Sequence, residues 1–261
     1  MKKPGYKIAM LGAGNMAWHL APALEKAGHE VVLVYSRTLE NAQTLAKALK
    51  ATQSTDKPDF TNSPADLYLV AVKDTALPGL LQQAVFPEGS LVAHTSGTQP
   101  LSVFESSPEI RGAVFYPLQT FSKNTPVDFG NIPFCLEATD ENAMFLLRKM
   151  AGSLSQKVYD VSSQDRKTLH LAAVFACNFT NHLLGISSEI LQKRELDFQM
   201  LKPLVEATVQ KAFSQEPFSV QTGPAVRRDE TTIQEHLQLL QHETGYQEIY
   251  RLLTQSIQQK S

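Results

Sequence analysis

From Lys7 to Asp160 the chain alternates short, unbroken apolar runs with stretches in which apolar positions recur every three or four residues. The unbroken runs at 7–11, 31–35, 66–72, 90–94, 112–116 and 133–137 predict strands covered on both faces, as in a parallel sheet flanked by helices. The amphipathic stretches predict helices at 20–28, 39–50, 76–84 and 141–153, the first stopped by Gly28. A polar stretch through Lys57-Pro58-Asp59 and a loop over 117–132 interrupt the pattern, and 157–160 predicts an edge strand. After Gln164 the β-periodicity fades, and helical runs follow at 163–194, 203–214, 232–240 and 244–258. Thr232-x-x-Glu235 and Thr244-x-x-Gln247 each fit a capping box. The organisation predicted is a doubly wound, mostly parallel α/β domain over 1–160 and an all-α domain over 161–261.

The first strand runs into Gly12-Ala13-Gly14-Asn15-Met16-Ala17, a G-x-G-x-x-A turn opening a helix. In a Rossmann domain Gly12 permits the tight turn, Gly14 lets the backbone approach a pyrophosphate, and Ala17 lets the helix lie close to the strand. The free N–H groups of Asn15, Met16 and Ala17 then face the anion. At the end of the second strand an NAD site would carry Asp or Glu, but the chain has Ser36-Arg37-Thr38. A guanidinium between two hydroxyls suits a 2′-phosphate, so the cofactor expected is NADP(H). The plainer alternative is a solvated arginine in a turn.

Twenty-four basic and 26 acidic residues leave a net charge of −2, so no basic field attracts nucleic acid or anionic lipid. Met1-Lys2-Lys3 is followed by Pro4-Gly5 rather than an apolar core, so no signal peptide is expected. Nor does the sequence suggest a membrane span. Cys135 and Cys177 lie far apart, and the histidines are scattered, so neither a disulfide framework nor a metal site is expected. Together these point to a cytoplasmic protein.

Ligands of an open α/β sheet bind at the carboxyl ends of the strands. Three loops should meet there: Val72-Lys73-Asp74-Thr75, His94-Thr95-Ser96-Gly97-Thr98 and Tyr116-Pro117-Leu118-Gln119-Thr120. The second places an imidazole and two hydroxyls where a nicotinamide should lie, although turns use the same residue types. The helical run over 163–194, broken only by Gly185, is apolar on most sides across 169–179, which predicts burial between its own domain and something else. At 100° per residue His170, Cys177, Asn178, Asn181 and Ser188 share one side, with His170 and Asn181 about 20° apart. Polar groups inside such a helix need partners, or each costs about 1–3 kcal/mol. They form either a structural network or a substrate-binding stripe in which His170 transfers a proton and Asn178 and Asn181 orient the substrate. Gln221-Thr222-Gly223-Pro224 makes a rigid bend before Arg227-Arg228-Asp229, where Asp229 or the threonines after it can cap a helix.

As a set, the glycine turn, His94-Thr95-Ser96-Gly97, Pro117–Phe121, His170-Leu171-Ala172-Ala173 with Asn178, and Thr222-Gly223-Pro224 with Arg227 and Asp229 resemble a group of NADP oxidoreductases. In that group a Rossmann-like domain precedes a C-terminal domain of unknown function. More distantly the chain resembles pyrroline-5-carboxylate reductases and deazaflavin-dependent NADP oxidoreductases. The resemblance implies a C-terminal domain like that of 6-phosphogluconate dehydrogenase, a homodimer formed through it, and a nicotinamide between the domains. One feature departs from the related β-hydroxyacid dehydrogenases, whose catalytic lysine is followed one turn later by Asn. Here Lys167 is followed at those places by His170 and Leu171. The expectation is an NADP(H)-dependent oxidoreductase acting on a small molecule. A non-catalytic redox sensor and a deazaflavin-linked reductase are the competing readings.

Overall fold

The computed structural model describes residues 5–50 and 52–260. The expectation about a signal peptide falls largely on residues 1–4, outside that range. The chain divides into two compact units, the first ending at Val174 and the second beginning at Phe175.

Among the described residues, the first unit holds one eight-stranded sheet in the order β3-β2-β1-β4-β5-β6-β7-β8. β1 (Lys7–Leu11), β2 (Glu30–Tyr35), β3 (Gln53–Thr55), β4 (Leu67–Val70), β5 (Leu91–His94) and β6 (Arg111–Pro117) are parallel. β7 (Phe134–Ala138) runs antiparallel to β6, and β8 (Val158–Asp160) pairs parallel with β7 at the edge. The chain builds outward from β1 through β2 to β3, then returns to the other side of β1 with β4. The carboxyl ends of β1 and β4 therefore flank a switch point, the usual crevice for a ligand.

The unbroken apolar strands follow from helices on both faces. Ile8 and Met10 pack in one core with Ala17, Leu20 and Leu24 of α1 (Asn15–Lys26), Ala42 and Leu45 of α2 (Leu39–Ala46), and Leu147 and Met150 of α4 (Glu141–Leu154). Ala9 and Leu11 point the other way, into a core with Leu77, Leu80 and Leu81 of α3 (Leu77–Gln83). This period of two sends neighbouring strand residues to opposite, equally dry faces.

Local chemistry corrects several expected boundaries. The helix predicted over 39–50 stops at Ala46, and the chain turns so that the Lys50 N–H donates to the Glu25 carboxylate at 3.0 Å. The three polar residues of β3 carry no periodic signal and are held by pairing with β2. From α5 (Ser163–Ala173) the chain continues as a π-helical segment, Val174–Phe179, into α6 (Thr180–Gln192). The 100° arithmetic linking His170 to Asn181 assumes unbroken α geometry, and the wider π turn removes that basis. The burial expected for this helix is not met within the chain, where Leu171, Phe175 and Phe179 are exposed. The helix Ser163–Gln192 is also long and apolar enough, by length and composition, to cross a membrane, contrary to expectation.

The second unit contains α6, α7 (Lys202–Ser214), α8 (Glu230–Leu239) and α9 (Thr244–Lys260). Lys193 pairs with Glu243, and Tyr246 donates to Glu189. The two expected capping boxes do not form. Asp229 caps α8, accepting from the Thr232 N–H and hydroxyl, three residues before the expected threonine cap. The Gln247 amide donates to the Leu237 carbonyl instead of reaching back to Thr244.

Candidate functional site

The glycine turn sits at the switch point. Gly12 has φ +127°, and a Cβ there would lie 2.4 Å from the Ala71 carbonyl oxygen at the end of β4. Gly14 is the N-cap of α1, and no side chain caps this helix. Its first N–H groups, on Asn15, Met16 and Ala17, are thus left for an anion. Around the turn lies a cleft of about 440 Å³ lined by Gly12, Gly14, Ser36, Arg37, Val72 and Lys73. Arg37 is exposed, and Thr38 donates its N–H to the Ser36 hydroxyl at 3.4 Å. A glycine cradle, an uncapped helix end and an exposed guanidinium fit the diphosphate and 2′-phosphate of a dinucleotide. The Asn15 amide donates to the Phe121 carbonyl at 3.1 Å, and His19 Nε2 is bonded to the Ser122 carbonyl at 2.8 Å. The loop after β6 is thereby tied to the start of α1.

The second loop leaves β5 with its polar groups turned inward. His94, Thr95 and Ser96 are 1%, 4% and 7% exposed. The Thr95 hydroxyl donates to the Val70 carbonyl, and the Ser96 hydroxyl accepts from the N–H groups of Thr98 and Gln99. The Thr98 hydroxyl donates to Asp74 at 2.6 Å, joining this loop to the one after β4. His94 Nδ1 accepts from the Ser96 N–H at 3.1 Å, which places the ring proton on Nε2, while the ring stacks on Phe104. Burial, and then the nearby Arg166 charge, push the His94 pKa down to about 4. An unfolded chain takes up this proton near pH 6.5 and the folded chain only near pH 4. The stability held by neutral His94 is therefore complete above about pH 6.5 and is lost as pH falls from there toward 4. The urea midpoint should drop between pH 7 and 5 and do so less in His94→Gln; equal drops in both proteins would overturn this assignment.

Beneath the loop lies a group that sequence patterning did not single out. Arg166 of α5 is fully buried and donates to Glu137 Oε2 of β7 and to the Gln99 carbonyl, both at 2.6 Å. Burial would raise the Glu137 pKa, but hydrogen bonds from Arg166 and Ser163 together with the Arg166 charge bring it below its ordinary value. The Leu101 N–H donates to the Ser163 hydroxyl at 2.8 Å. α5 is thus bolted to the loop by main-chain as well as side-chain bonds. In sequence, an arginine in the first turns of a polar helix segment reads as solvated, so nothing marks it.

One turn further along α5, His170 Nδ1 lies 3.2 Å from the Tyr116 hydroxyl at the carboxyl end of β6. A Cβ on Gly97 would meet His170 Nδ1 at 2.5 Å and Tyr116 Cζ at 2.9 Å. The loop after β5, the carboxyl end of β6 and helix α5 therefore meet at Gly97, Tyr116 and His170. Burial pushes the Tyr116 phenol up to about 12, so it keeps its proton. Asn178 lies in the π segment and Asn181 in α6, both exposed and both in the second unit. The hydrogen-bonding need inferred from their burial accordingly lapses within the chain. Among the described residues no cluster of His, Cys, Asp or Glu could hold a metal ion.

Residues 7–96 match the family described as NADP oxidoreductase coenzyme F420-dependent, and residues 132–257 match the domain of unknown function DUF2520. No curated protein matches the chain. Among solved structures, a protein from Bacteroides fragilis provisionally named an NADP oxidoreductase is 42% identical, with a TM-score of 0.89 over 98% of this chain and 99% of that one. The 1-pyrroline-5-carboxylate reductase of Streptococcus pyogenes shares the fold at 15% identity and TM-score 0.67, over 98% of this chain and 100% of that one. The reductive aminase of Aspergillus terreus, solved with NADPH and ethyl-5-oxohexanoate, does so at 12% and 0.73, over 98% and 93%. The likeness to the Bacteroides protein covers both chains end to end, and by it this chain belongs to the NADP oxidoreductase family in which a Rossmann-like domain of the F420-dependent type precedes a DUF2520 domain.

Proposed function

We propose that the protein is a cytoplasmic, NADP(H)-dependent oxidoreductase that acts on a small carbonyl, imine or cofactor substrate. The observation that carries this reading is the cleft at the switch point, where Gly12, Gly14 and Arg37 line one wall-to-wall space. Gly12, Gly14, Asn15, Met16 and Ala17 hold the diphosphate through backbone N–H groups, and Ser36, Arg37 and Thr38 hold the 2′-phosphate. Val72, Lys73 and the backbone of His94, Thr95, Ser96 and Gly97 border the path toward the nicotinamide. The cofactor, when bound, supplies or accepts the hydride. His170, beside Tyr116 at the carboxyl end of β6, is the acid/base group. A homodimer formed through the helical domain would cover the exposed Leu171, Phe175 and Phe179. The name of the family matched by residues 7–96 favours a deazaflavin as the cofactor substrate in a second reading.

Calorimetry with NADPH and NADH tests the cofactor. Clear NADPH preference is expected, with Arg37→Ala lowering NADPH affinity about 10- to 100-fold, the worth of one or two charge-assisted hydrogen bonds. NADH affinity should move less than about twofold. Equal weakening for both nucleotides would remove the 2′-phosphate role of Arg37, and no binding of either would remove the reading as a whole.

A further inference from the structure

The Tyr116 hydroxyl and His170 Nδ1, 3.2 Å apart, are each other's hydrogen-bond partner, and no other is found for either atom among the described residues. The Gly97 backbone packs against both side chains, so closely that even a methyl group there would overlap His170 Nδ1 and Tyr116 Cζ. Gly97 thus shields one side of the joint between phenol and imidazole, and the contact is partly buried. Two arrangements of the proton fit the distance. If Nδ1 carried it and donated to Tyr116, the phenol O–H would be left unpartnered on a residue only 8% exposed. A buried unmade hydrogen bond costs about 1–3 kcal/mol. If the phenol donates to Nδ1 instead, both atoms are satisfied and the imidazole proton moves to Nε2. His170 itself is only half-buried, so that second N–H stays available.

We infer that Tyr116 is a positioning residue that fixes neutral His170 as the Nε2–H tautomer, so that the site presents a hydrogen-bond donor to a substrate's acceptor atom. The inference rests on the reading of His170 as the substrate-side group and deepens it. A carbonyl oxygen has only lone pairs to offer and matches such a donor, whereas an iminium, the form of an imine that takes up hydride readily, has none. The substrate class is therefore a carbonyl compound approached in the reducing direction. Hydride from NADPH goes to the carbonyl carbon, the C=O π pair moves to the oxygen held by the Nε2–H, and one proton taken up from solvent completes the alcohol. The phenol keeps its proton and so has an O–H to donate to Nδ1. The seat is rigid because Arg166, one turn earlier on α5, bonds to the Gln99 carbonyl in the same loop as Gly97.

Long-range proton–nitrogen NMR on the ¹⁵N-labelled full chain reads the tautomer without any turnover. Spectra are taken with NADPH at about pH 8.5, above the ordinary titration range of histidine, and the His170→Gln spectrum assigns the signal. A single form is expected, with Nδ1 as acceptor and the proton on Nε2. In Tyr116→Phe the signals should move toward a mixture of tautomers while NADPH affinity changes less than twofold. A proton on Nδ1 in the native chain, or an unchanged tautomer in Tyr116→Phe, overturns the inference. Reduction of a ketone panel by NADPH then separates it from the reading beneath it. About tenfold lower kcat in Tyr116→Phe at little-changed KM is expected. If the tautomer depends on Tyr116 but neither Tyr116→Phe nor His170→Gln slows turnover, the positioning role stands and His170 as substrate-side group falls.

Discussion

Replacing Glu137 by alanine should cost about 3–5 kcal/mol of stability, near the lower end because the carboxylate is partly reached by water. The cost does not come from the missing carboxylate. It comes from Arg166, which is fully buried and would keep a full charge with the Gln99 carbonyl and the Ser163 hydroxyl as its remaining partners. A domain of this kind has a net stability of about 5–15 kcal/mol, so the change removes a large share of it. The double variant Glu137→Leu, Arg166→Met should recover much of the loss, since an apolar pair of similar size needs no solvation. Urea denaturation of the three proteins decides the matter. A Glu137→Ala loss under about 1 kcal/mol would mean that Arg166 reaches water and behaves as a surface ion pair. Because Arg166 and Ser163 also hold the loop after β5, NADPH affinity of the single variant should fall along with its stability.

The second large effect is at the glycine turn, where Gly12 and Gly14 should both matter for NADPH but differ in their effect on stability. Gly12→Ala places a Cβ 2.4 Å from the Ala71 carbonyl oxygen and 2.7 Å from its carbon, at a φ of +127° that alanine rarely adopts. The obstacle is backbone, so no side chain can rotate away, and β1 and β4 must part at the switch point. Strain of this kind costs about 1–3 kcal/mol in the free protein, before any cofactor is bound. NADPH affinity should fall at least about 100-fold, equivalent to about 2.7 kcal/mol. Gly14 has an ordinary φ of −80°, and the nearest atom to a Cβ there is 4.0 Å away. Gly14→Ala should therefore leave the thermal midpoint within about 2 °C of the native one yet still weaken NADPH binding, since its methyl group meets only the bound diphosphate. Scanning calorimetry with and without NADPH reads both. A stability loss in Gly14→Ala equal to that in Gly12→Ala would show that the turn is sensitive to any side chain and says nothing about a ligand.

Much of the first unit is legible in the chain because its signals are local. Continuous apolar runs mark strands dry on both faces, and the run into Gly12 marks the crossing to α1 within a dozen residues. The same reading misses β3, since Gln53, Ser54 and Thr55 are polar and are held as a strand by their β2 partners. It leaves the start of α8 open between Asp229 and the threonines after it, and the fold chooses Asp229, which accepts from Thr232. It also treats His94 as a candidate ligand on residue type. Folding puts that imidazole against Phe104, with its acceptor nitrogen committed to the Ser96 N–H.

The pattern along the chain was enough for the order of the apolar strands and the helices between them, the glycine turn, the arginine at the end of β2 and the change to helices after Gln164. Each of these is written in neighbouring residues, through backbone freedom, periodicity or charge. The meeting of Gly97, Tyr116 and His170, and the burial of Arg166 on Glu137, were settled by the folded chain. Those partners lie 19 to 73 positions apart in sequence, and which of them touch depends on how β5, β6, β7 and α5 pack. A tyrosine ending an apolar strand and an arginine in a polar helical turn have the same appearance in sequence whether exposed or sealed. Only the loss of water around them turns one into a fixed hydrogen-bond donor and the other into a charge that must be paired.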